Sequence, residues 1–363
     1  MTTAPNNLRL ISGVGAKGPA CFVIEAAGKR IMLDLGEGPP PGLLPNVEGV
    51  GPLNALVLSH GHVDHVGGLL LLDKLGNPPV YATEIVARGL SKGLGVRPLP
   101  VAGTSEVLGI EVTTGRNGHA PGGIWLHFGI GDGFLYTGDW STESILYTYD
   151  PPAKTAAVAL VDCSYANYDK PIGECWSALE PLAERGPLLL PVPANGRGPE
   201  IALEFLRYGR TDLYVDGAMD RALRQLCTTD SASVRSNVDD DMKALAVTAK
   251  PIETARGVML AASADGTSGA TKQFLKQWEQ TGEPAIVFTG YRAPDTPADR
   301  MIKSGRAQFV RWNVHPRISD VVAMMQHVKA KTVIPAFCDR SQLAALAQAL
   351  APAHVTMDGP VRF

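Results

Sequence analysis

The sequence predicts an α/β protein, and two kinds of pattern along the chain carry this prediction. Short apolar runs bounded by glycine, proline or polar residues are typical of buried strands, as in residues 55–58 (ALVL) and 188–192 (LLLPV). Longer segments repeat apolar residues at helical spacing, as in residues 341–350. Because both patterns alternate along much of the chain, we expect sheets covered by helices.

The elements follow in chain order. Residues 21–24 and 30–34 predict a hairpin around Gly28, and the run at 55–58 predicts a strand followed by a helix that begins near Gly67. A helix is predicted from Pro199 to about Tyr208, since proline suits the first helical position and Glu200 complements the helix dipole. Further helices are predicted within residues 231–250, 271–280, 318–328 and 341–350, and further strands near Ile286 and Val333.

Composition bounds the class of protein. The chain has 363 residues, 45% hydrophobic and 19% charged, which is enough for two domains or for one domain with a large insertion. We expect no membrane segment and no signal peptide in residues 1–7, and therefore a cytoplasmic protein. Five cysteines without C-x-x-C spacing do not suggest a disulfide framework.

The stretch SHGHVDH at residues 59–65 points to a metal centre. In extended backbone residues i and i+2 point the same way, so His60 and His62 can reach one ion together. Asp64 and His65 follow and face a neighbouring position. This mixture of imidazole and carboxylate suits Zn²⁺, with Mn²⁺ or Fe as alternatives.

The spacing H-x-H-x-D-H resembles the signature of the metallo-β-lactamase superfamily. This resemblance implies a third histidine for the first ion, matched by His119 in a Gly/Pro loop, and a bridging aspartate at a strand end, matched by Asp139. It also implies a structural aspartate near the metals, matched by Asp34. The implied ligands are His60, His62 and His119 for the first ion, and Asp64, His65 and Asp139 for the second, with Asp139 bridging the two.

Four segments in the second half, in the same order, resemble the β-CASP branch of that superfamily, the RNA- and DNA-processing nucleases such as ribonuclease J. They are residues 159–165 (ALVDCSY), 190–200 (LPVPANGRGPE), 286–291 (IVFTGY) and 314–320 (VHPRISD). The resemblance implies that Asp162 and His315 are catalytic, with His315 over the scissile phosphate and Asp162 fixing its tautomer. Asp64 is expected to orient or deprotonate the attacking water.

The fold implied by the resemblance is a four-layer αβ/βα metallo-β-lactamase sandwich with an inserted α/β cassette. The expected domains are residues 1–168 and 295–363 for the sandwich and residues 169–294 for the β-CASP-like cassette. Ligands of this fold lie at strand ends, where the cassette would cap them. Arg197, at the start of a predicted helix, is a candidate for binding phosphate or substrate, although the glycines beside it are also consistent with a tight turn alone.

One position departs from the resemblance. Where ribonuclease J has a histidine for the second ion, this chain has Phe337, and a phenyl ring cannot ligate a metal. Three alternatives stay open: the second ion is weakly held, it is held by Cys338 or Asp339, or it is absent. Asp339 is the better replacement, because it points to the same side of the strand as Phe337 and reaches further, whereas Cys338 points to the opposite side.

The net charge of −3 gives no overall attraction for a polyanion, but basic residues outnumber acidic ones late in the chain. These basic residues are Arg292, Arg300, Lys303, Arg306, Arg311, Arg317, Lys329, Lys331 and Arg340. They form either a phosphate-binding face or an ordinary solvated surface.

The leading hypothesis is a metal-dependent hydrolase, a nucleic-acid phosphodiesterase that uses metal-activated water and acts on single-stranded RNA or another nucleic acid, with RNA preferred. One alternative is a metallohydrolase of small esters, thioesters or lactones, since the fold alone does not choose the bond. Another is a catalytically impaired nuclease-like binding subunit, which the phenylalanine at position 337 favours. A homo-oligomer is compatible with all three.

Overall fold

The computed structural model describes residues 6–278 and 281–363. The chain separates into two compact units. The first unit runs to Thr142 and adds Tyr149–Asp169 and His315–Phe363; the second comprises Glu143–Thr148 and Lys170–Val314. The sequence instead predicts divisions after residues 168 and 294.

The strands and helices have the following bounds. The strands are β1 (Asn7–Ser12), β2 (Cys21–Ala26), β3 (Lys29–Leu33), β4 (Ala55–Val57), β5 (Val80–Thr83), β6 (Val96–Leu99), β7 (Gly103–Val107), β8 (Ile110–Arg116), β9 (Ile124–Phe128), β10 (Phe134–Tyr136), β11 (Val158–Asp162), β12 (Leu188–Pro191), β13 (Leu213–Val215), β14 (Lys250–Pro251), β15 (Val258–Ala261), β16 (Ala285–Phe288), β17 (Gln308–Phe309), β18 (Thr332–Ala336), β19 (His354–Val355) and β20 (Val361–Arg362). The α helices are α1 (Val63–Val66), α2 (Glu84–Gly89), α3 (Ile172–Ala183), α4 (Arg197–Arg207), α5 (Gly217–Leu226), α6 (Asp239–Thr248), α7 (Gly269–Trp278), α8 (Pro297–Lys303), α9 (Ile318–His327) and α10 (Leu343–Ala349).

The first unit is a sandwich of two sheets. Their strand orders are β20-β1-β2-β3-β4-β5-β6 and β19-β18-β11-β10-β9-β8-β7. Alternation along β2 shows how the layers form: Phe22 and Ile24 pack in a core shared with β9 of the other sheet, while Cys21 and Val23 pack in a second core on the opposite face. That second core contains Leu75 of the 3₁₀ helix Gly67–Leu75.

The second sheet is covered in the same way. Its outer face packs Leu135 and Val161 against Met324 of α9 and Leu346 of α10. The order from one side to the other is therefore helix, sheet, sheet, helix. The predicted four-layer α/β sandwich is confirmed for this unit.

Parallel strands direct several loops of the first unit toward one edge. Strands β10, β11 and β18 run parallel to one another in the second sheet, and β3, β4 and β5 run parallel in the first. The carboxyl ends of parallel strands meet at one edge of a sheet, so the chain segments that follow them lie close together.

The second unit has a parallel sheet of its own, in the order β14-β13-β15-β12-β16-β17. Helices α4, α5 and α6 pack on one face through a core that includes Phe205, Leu223 and Leu245. On the other face Leu275 of α7 and Met301 of α8 pack against Phe288. Residues 295–314 group with this unit because β17 extends its sheet and α8 enters its core.

Most predicted elements are present, with three differences of detail. The hairpin at 21–24 and 30–34 is β2 and β3, with Gly28 at φ 71° in the turn. The predicted helix near Gly67 is a 3₁₀ helix, which follows the single turn of α1. Helix α4 begins at Arg197, two residues before Pro199, and α7 covers residues 269–278; the predicted end at Gln280 lies outside the described residues.

Within the residues that the structure describes, no helix combines the length and the apolar character needed to cross a membrane.

Candidate metal centre

Each candidate ligand lies on a segment that follows a strand of the first unit. His60 and His62 follow β4, and Asp64 and His65 lie in α1 directly after them. His119 lies in the loop between β8 and β9. Asp139 follows β10, and Asp162 is the last residue of β11.

Four side chains converge on one point. The Nε2 atoms of His60 and His119 each lie 3.1 Å from Nδ1 of His62. Oδ2 of Asp139 lies 3.8 Å from Nε2 of His60 and 3.5 Å from Nε2 of His119. The cluster brings together the three predicted histidines of the first ion and the predicted bridging aspartate.

These distances fit a tetrahedral ion. Ligand atoms about 2.0–2.1 Å from a tetrahedral Zn²⁺ lie about 3.4 Å from one another, and the four measured separations run from 3.1 to 3.8 Å. The donor set of nitrogens and one carboxylate oxygen also suits a divalent ion of the zinc type. The residues present therefore fit a divalent metal.

A second group shares Asp139 with the first. Asp64, His65 and Asp139 place ligand atoms within 4.8 Å of one another. Nε2 of His65 lies 3.3 Å from Oδ1 of Asp139, yet neither atom has a hydrogen-bond partner although both are buried. Two buried polar atoms that face each other without a hydrogen bond have the arrangement of ligands to a shared cation.

His65 is fixed from its other side by Asp34. Nδ1 of His65 lies 2.7 Å from Oδ2 of Asp34, so Nδ1 carries the proton and Nε2 faces Asp139. The Ser59 backbone N–H and hydroxyl donate to the same carboxylate at 2.7 and 2.6 Å, and the Tyr136 hydroxyl donates at 2.5 Å. Asp34, which the resemblance places near the metals, is buried and fixes the orientation of the candidate ligand His65.

Asn117 supports two ligands at once and is a residue that sequence reasoning missed. Its Nδ2 donates to the Asp139 carbonyl at 2.7 Å, and its Oδ1 accepts from the His119 N–H at 3.0 Å. Gly123 makes room for it, since a Cβ there would lie 2.5 Å from Oδ1 of Asn117. The only available signal is its place two residues before His119, which does not by itself indicate a role.

The electrostatics favour metal-binding protonation states at two of the candidate ligands, His60 and Asp139. Burial and the neighbouring imidazoles of His65 and His62 hold the pKa of His60 well below its ordinary value, so His60 is neutral. Burial opposes ionisation of Asp139, but the charges of His65, His315 and His119 outweigh it and hold its pKa well below the usual range. A neutral imidazole and an ionised carboxylate are the forms that ligate metals.

His315 and Asp162 form a hydrogen-bonded pair beside this cluster. Nδ1 of His315 lies 2.8 Å from Oδ2 of Asp162 and 3.7 Å from Oδ2 of Asp139. Asp162 is held in turn, because its Oδ1 accepts from the Ser164 N–H at 2.8 Å. The ring of Tyr165 packs edge-on against His315, with centroids 5.2 Å apart.

The position of Phe337 explains why the two candidate replacements, Cys338 and Asp339, lie outside the ligand cluster. Strand β18 ends at Ala336, and Phe337 has φ 61°, so the alternation that would bring Asp339 to the same side stops before it. Asp339 is exposed, and its carboxylate accepts from the Ser341 N–H instead. Burial raises the pKa of the Cys338 thiol to about 12, which keeps it from forming a thiolate. Neither residue is in a metal-ligating group among the residues described.

In the second unit, Arg197 lies at the start of α4. Its Nε donates to the Thr289 hydroxyl at 3.0 Å, and its guanidinium lies against Gly290 so closely that a Cβ there would meet Nη2 at 2.0 Å. A tight turn also precedes it, since Gly196 has φ 129° and Gly198 approaches the Pro193 carbonyl. Arg197 therefore has a structural role in its own unit.

Most of the basic residues late in the chain are engaged locally. Arg292 and Lys303 pair with Asp299, Arg317 pairs with Asp320, Lys331 pairs with Asp132 and Arg340 pairs with Asp358. Arg306 donates to the carbonyls of Trp278 and Pro284, and Arg300 to that of Asp295. Local pairing favours the interpretation as an ordinary solvated surface.

The fold and this cluster define the class of protein: an α/β sandwich with a candidate centre for divalent metal at its strand ends. Residues 14–169 match the family model described as the metallo-β-lactamase superfamily. Residues 14–169 are therefore a metallo-β-lactamase domain, as the H-x-H-x-D-H spacing predicts, and the metallo-β-lactamase superfamily uses divalent metals.

Several curated proteins are similar to this chain. Transcription termination factor FttA of Methanosarcina mazei is 23% identical over 88% of this chain and 64% of its own length. Ribonuclease TTHA0252 of Thermus thermophilus is 28% identical over 55% of this chain and 56% of its own length. Endoribonuclease YSH1 of Yarrowia lipolytica is 23% identical over 78% of this chain and 42% of its own length.

These relatives belong to the β-CASP branch, so the predicted resemblance to that branch is confirmed. The region that matches this chain covers about 40–64% of the length of three FttA proteins, so the chain spans only part of these relatives. A crystal structure of a protein of unknown function from Enterococcus faecalis V583 has the same fold, with a TM-score of 0.64, 14% identity, and coverage of 99% of this chain and 100% of that one.

Proposed function

We propose that this chain is a metal-dependent phosphodiesterase that cleaves RNA, with single-stranded RNA as its substrate. One observation carries the proposal. Oδ2 of Asp139 lies 3.5 Å from Nε2 of His119 and 3.7 Å from Nδ1 of His315, so one carboxylate oxygen belongs both to the candidate metal cluster and to the surroundings of the His315–Asp162 pair. A site that can hold a divalent ion beside a proton donor suits phosphodiester hydrolysis.

The proposed ligands of the first ion are His60, His62, His119 and Asp139, and Zn²⁺ is the ion that their geometry and donor atoms fit best, with Mn²⁺ or Fe as alternatives. A divalent ion bound there supplies Lewis acidity, which makes hydroxide available near neutral pH and stabilises negative charge on a phosphate. Asp64 and His65 are the candidates for a second ion, together with Asp139.

The proposed proton donor is His315. Because its Nδ1 faces Asp162 at 2.8 Å, the opposite nitrogen, Nε2, is the atom that can give a proton to the substrate. Water attacks phosphorus, the bond from phosphorus to the leaving ribose oxygen breaks, and Nε2 protonates that oxygen. Asp162 accepts a hydrogen bond from Nδ1–H of His315 and so orients the protonated ring, and Asp64 is proposed to orient the attacking water and to accept its proton.

RNA is preferred among the possible substrates because of the relatives. Two of them are named ribonuclease and endoribonuclease. Arg197 is proposed as a substrate contact, since a planar guanidinium with five N–H donors suits the recognition of phosphate. This chain matches only part of the length of the FttA proteins. The proposed activity therefore depends on the site residues of this chain itself.

The test combines RNA and ester substrates. The protein, reconstituted with Zn²⁺ or Mn²⁺, is incubated with end-labelled single-stranded RNA, with DNA of the same sequence and with a panel of esters, thioesters and lactones. We expect RNA cleavage that chelation stops and added metal restores. His315→Ala should remove most of it, whereas the control His354→Ala, at an exposed position, should leave it unchanged.

The alternatives give different results in the same assay. Turnover of esters while RNA and DNA stay intact would establish a small-molecule hydrolase and contradict the proposal. Metal binding without any turnover would support a nuclease-like binding subunit. Arg197→Lys keeps the charge and loses the planar fork, so an unchanged KM for RNA would exclude the proposed substrate contact.

A further inference from the structure

The second candidate metal position is incomplete on one side. Asp64, His65 and Asp139 converge there, but the phenyl ring of Phe337 packs edge-on against His65, with ring centroids 5.2 Å apart. The same ring also packs edge-on against Phe22. A phenyl ring has no lone pair to offer an ion, so an apolar group closes this side of the position.

A lysine reaches the same place from another part of the chain. Lys17 lies in the loop between β1 and β2, and its Nζ is 5.9 Å from the centroid of the Phe337 ring, within the range of a cation–π contact. It also donates to the Ser164 hydroxyl at 3.5 Å. Ser164 follows Asp162 by two residues and donates to its carboxylate, so the ammonium lies at the acidic side of the site.

The loop that carries Lys17 is fixed at both sides of the site. The Gly13 carbonyl accepts from the Phe337 N–H at 2.7 Å, and the Ala20 N–H donates to the Asp64 carbonyl at 2.8 Å. Gly13 has φ 86°, and its missing side chain leaves room for the Phe337 ring, since a Cβ there would lie 3.2 Å from it. The loop therefore positions Lys17 relative to both Phe337 and Asp64.

The charges agree with this placement. The carboxylates of Asp64, Asp139 and Asp162 belong to overlapping ligand groups, so one divalent ion leaves part of their charge uncompensated. Burial opposes a charged Lys17, yet these three carboxylates raise its pKa above the ordinary value, so the ammonium is retained. A second divalent ion at Asp64, His65 and Asp139 would be repelled by the like charge of that ammonium.

We propose that this chain holds one divalent ion, at His60, His62, His119 and Asp139, and that the Lys17 ammonium provides the positive charge that a second ion would otherwise bring. Phe337 and Lys17 then act together. The phenyl ring stands where a side chain that binds the second ion is expected, and it gives the Lys17 ammonium an aromatic face to pack against. The inference rests on the proposed metal-dependent function and concerns the number of ions that the site holds.

The test counts metal ions in the absence of substrate. Wild-type protein is reconstituted with excess Zn²⁺, freed of unbound metal, and analysed by native mass spectrometry and elemental analysis. We expect one ion per chain. Phe337→His alone should stay at one ion because the ammonium remains, and the double variant Lys17→Ala/Phe337→His should rise to two. Histidine tolerates the positive φ at this position better than most residues, so the backbone can accept it.

A matched control replaces an exposed lysine of the same unit. Lys92→Ala/Phe337→His should stay at one ion, because Lys92 is exposed on the surface. A folded Lys17→Ala/Phe337→His variant that still binds one ion would overturn the proposal. If that variant does not fold, electron paramagnetic resonance of wild type loaded with Mn²⁺ tests the proposal. We expect the spectrum of isolated Mn²⁺ ions, and a spin-coupled pair would overturn the proposal of one ion.

The two proposals fail separately. A protein that holds one ion but leaves RNA intact contradicts the proposed function and keeps the inference. A protein that cleaves RNA with two bound ions contradicts the inference and keeps the function.

Discussion

Glu200 gives a quantitative prediction about stability. Its side chain is 2% exposed, and it accepts hydrogen bonds from the Ile145 N–H at 2.8 Å and from Nε1 of Trp312 at 3.2 Å. Burial raises the pKa of its carboxyl from 4.5 to about 7, because the hydrogen bonds compensate only part of the lost hydration. The sequence interpretation of Glu200 as a charged partner of the helix dipole is therefore incomplete.

The pKa difference fixes the sign and size of the effect. Between pH 4.5 and about 7 the folded protein binds a proton at Glu200 that the unfolded chain has already released, so the free energy of unfolding falls as the pH rises through this window. The full difference corresponds to about 3 kcal/mol. Below pH 4.5 both states are protonated at this residue, and above about 7 the loss is complete.

The assay compares wild type with Glu200→Gln in urea unfolding at several pH values between 4 and 8. Glutamine keeps the shape and one oxygen acceptor, and it does not ionise. Other groups titrate in the same range, but they contribute equally to both proteins and cancel in the difference. Relative to the variant, wild type should lose about 3 kcal/mol of stability between pH 4 and 8.

The matched control is Glu253→Gln, at an exposed position of the same unit that pairs with Arg256. It should change stability by less than about 1 kcal/mol, because an exposed ion pair contributes little. A stability difference between wild type and Glu200→Gln that stays constant from pH 4 to 8 would refute the reasoning. A difference that grows in favour of wild type at high pH would do so as well.

Three further predictions concern the candidate metal centre. His315→Ala should lower kcat/KM for RNA by about 10²–10⁴-fold but far less for a p-nitrophenyl phosphodiester, whose leaving group needs no proton; equal losses on both would exclude proton donation by His315. A metal concentration 100 times Kd should raise the free energy of unfolding of wild type by about 2.7 kcal/mol, measured by thermal unfolding. An equal increase for His119→Ala would show that His119 is not a ligand. Tyr136→Phe should weaken metal binding by about 10-fold, the lower end of the range for outer-shell groups, because the Tyr136 hydroxyl supports Asp34, which orients His65 beside the proposed ligand Asp139; unchanged affinity in calorimetry would show that this support is not needed.

The sequence is informative where the ligands are close in the chain or follow strands. His60, His62, Asp64 and His65 lie within six residues, and their spacing alone indicates a metal centre. Asp139 lies three residues after the end of β10, and the resemblance to the superfamily, which has an aspartate at a strand end, identifies it as a candidate. The periodicity of apolar residues predicts the α/β class, whereas the four-layer sandwich is implied by the resemblance.

Other residues could not be predicted because their roles depend on contacts between distant segments. Lys17 is one lysine in a glycine-rich loop, and nothing near it in the sequence indicates that the charges of Asp64 and Asp139 raise its pKa. Glu200 has an ordinary helix-start pattern, and only the packing of Ile145 and Trp312 around it shows that it is buried. In both cases long-range packing sets the electrostatic environment, which local propensity does not contain.

The arrangement around His65 explains how the site can keep its geometry with Phe337 in a ligand position. Asp34 accepts from Nδ1 of His65, and Ser59 and Tyr136 hold Asp34, so the orientation of the ring is set by protein groups. Its Nε2 faces Oδ1 of Asp139 at 3.3 Å. Since Oδ2 of the same carboxylate faces the first cluster, His65 is placed to position a proposed ligand of the first ion, which gives it a role in the proposed site with one metal.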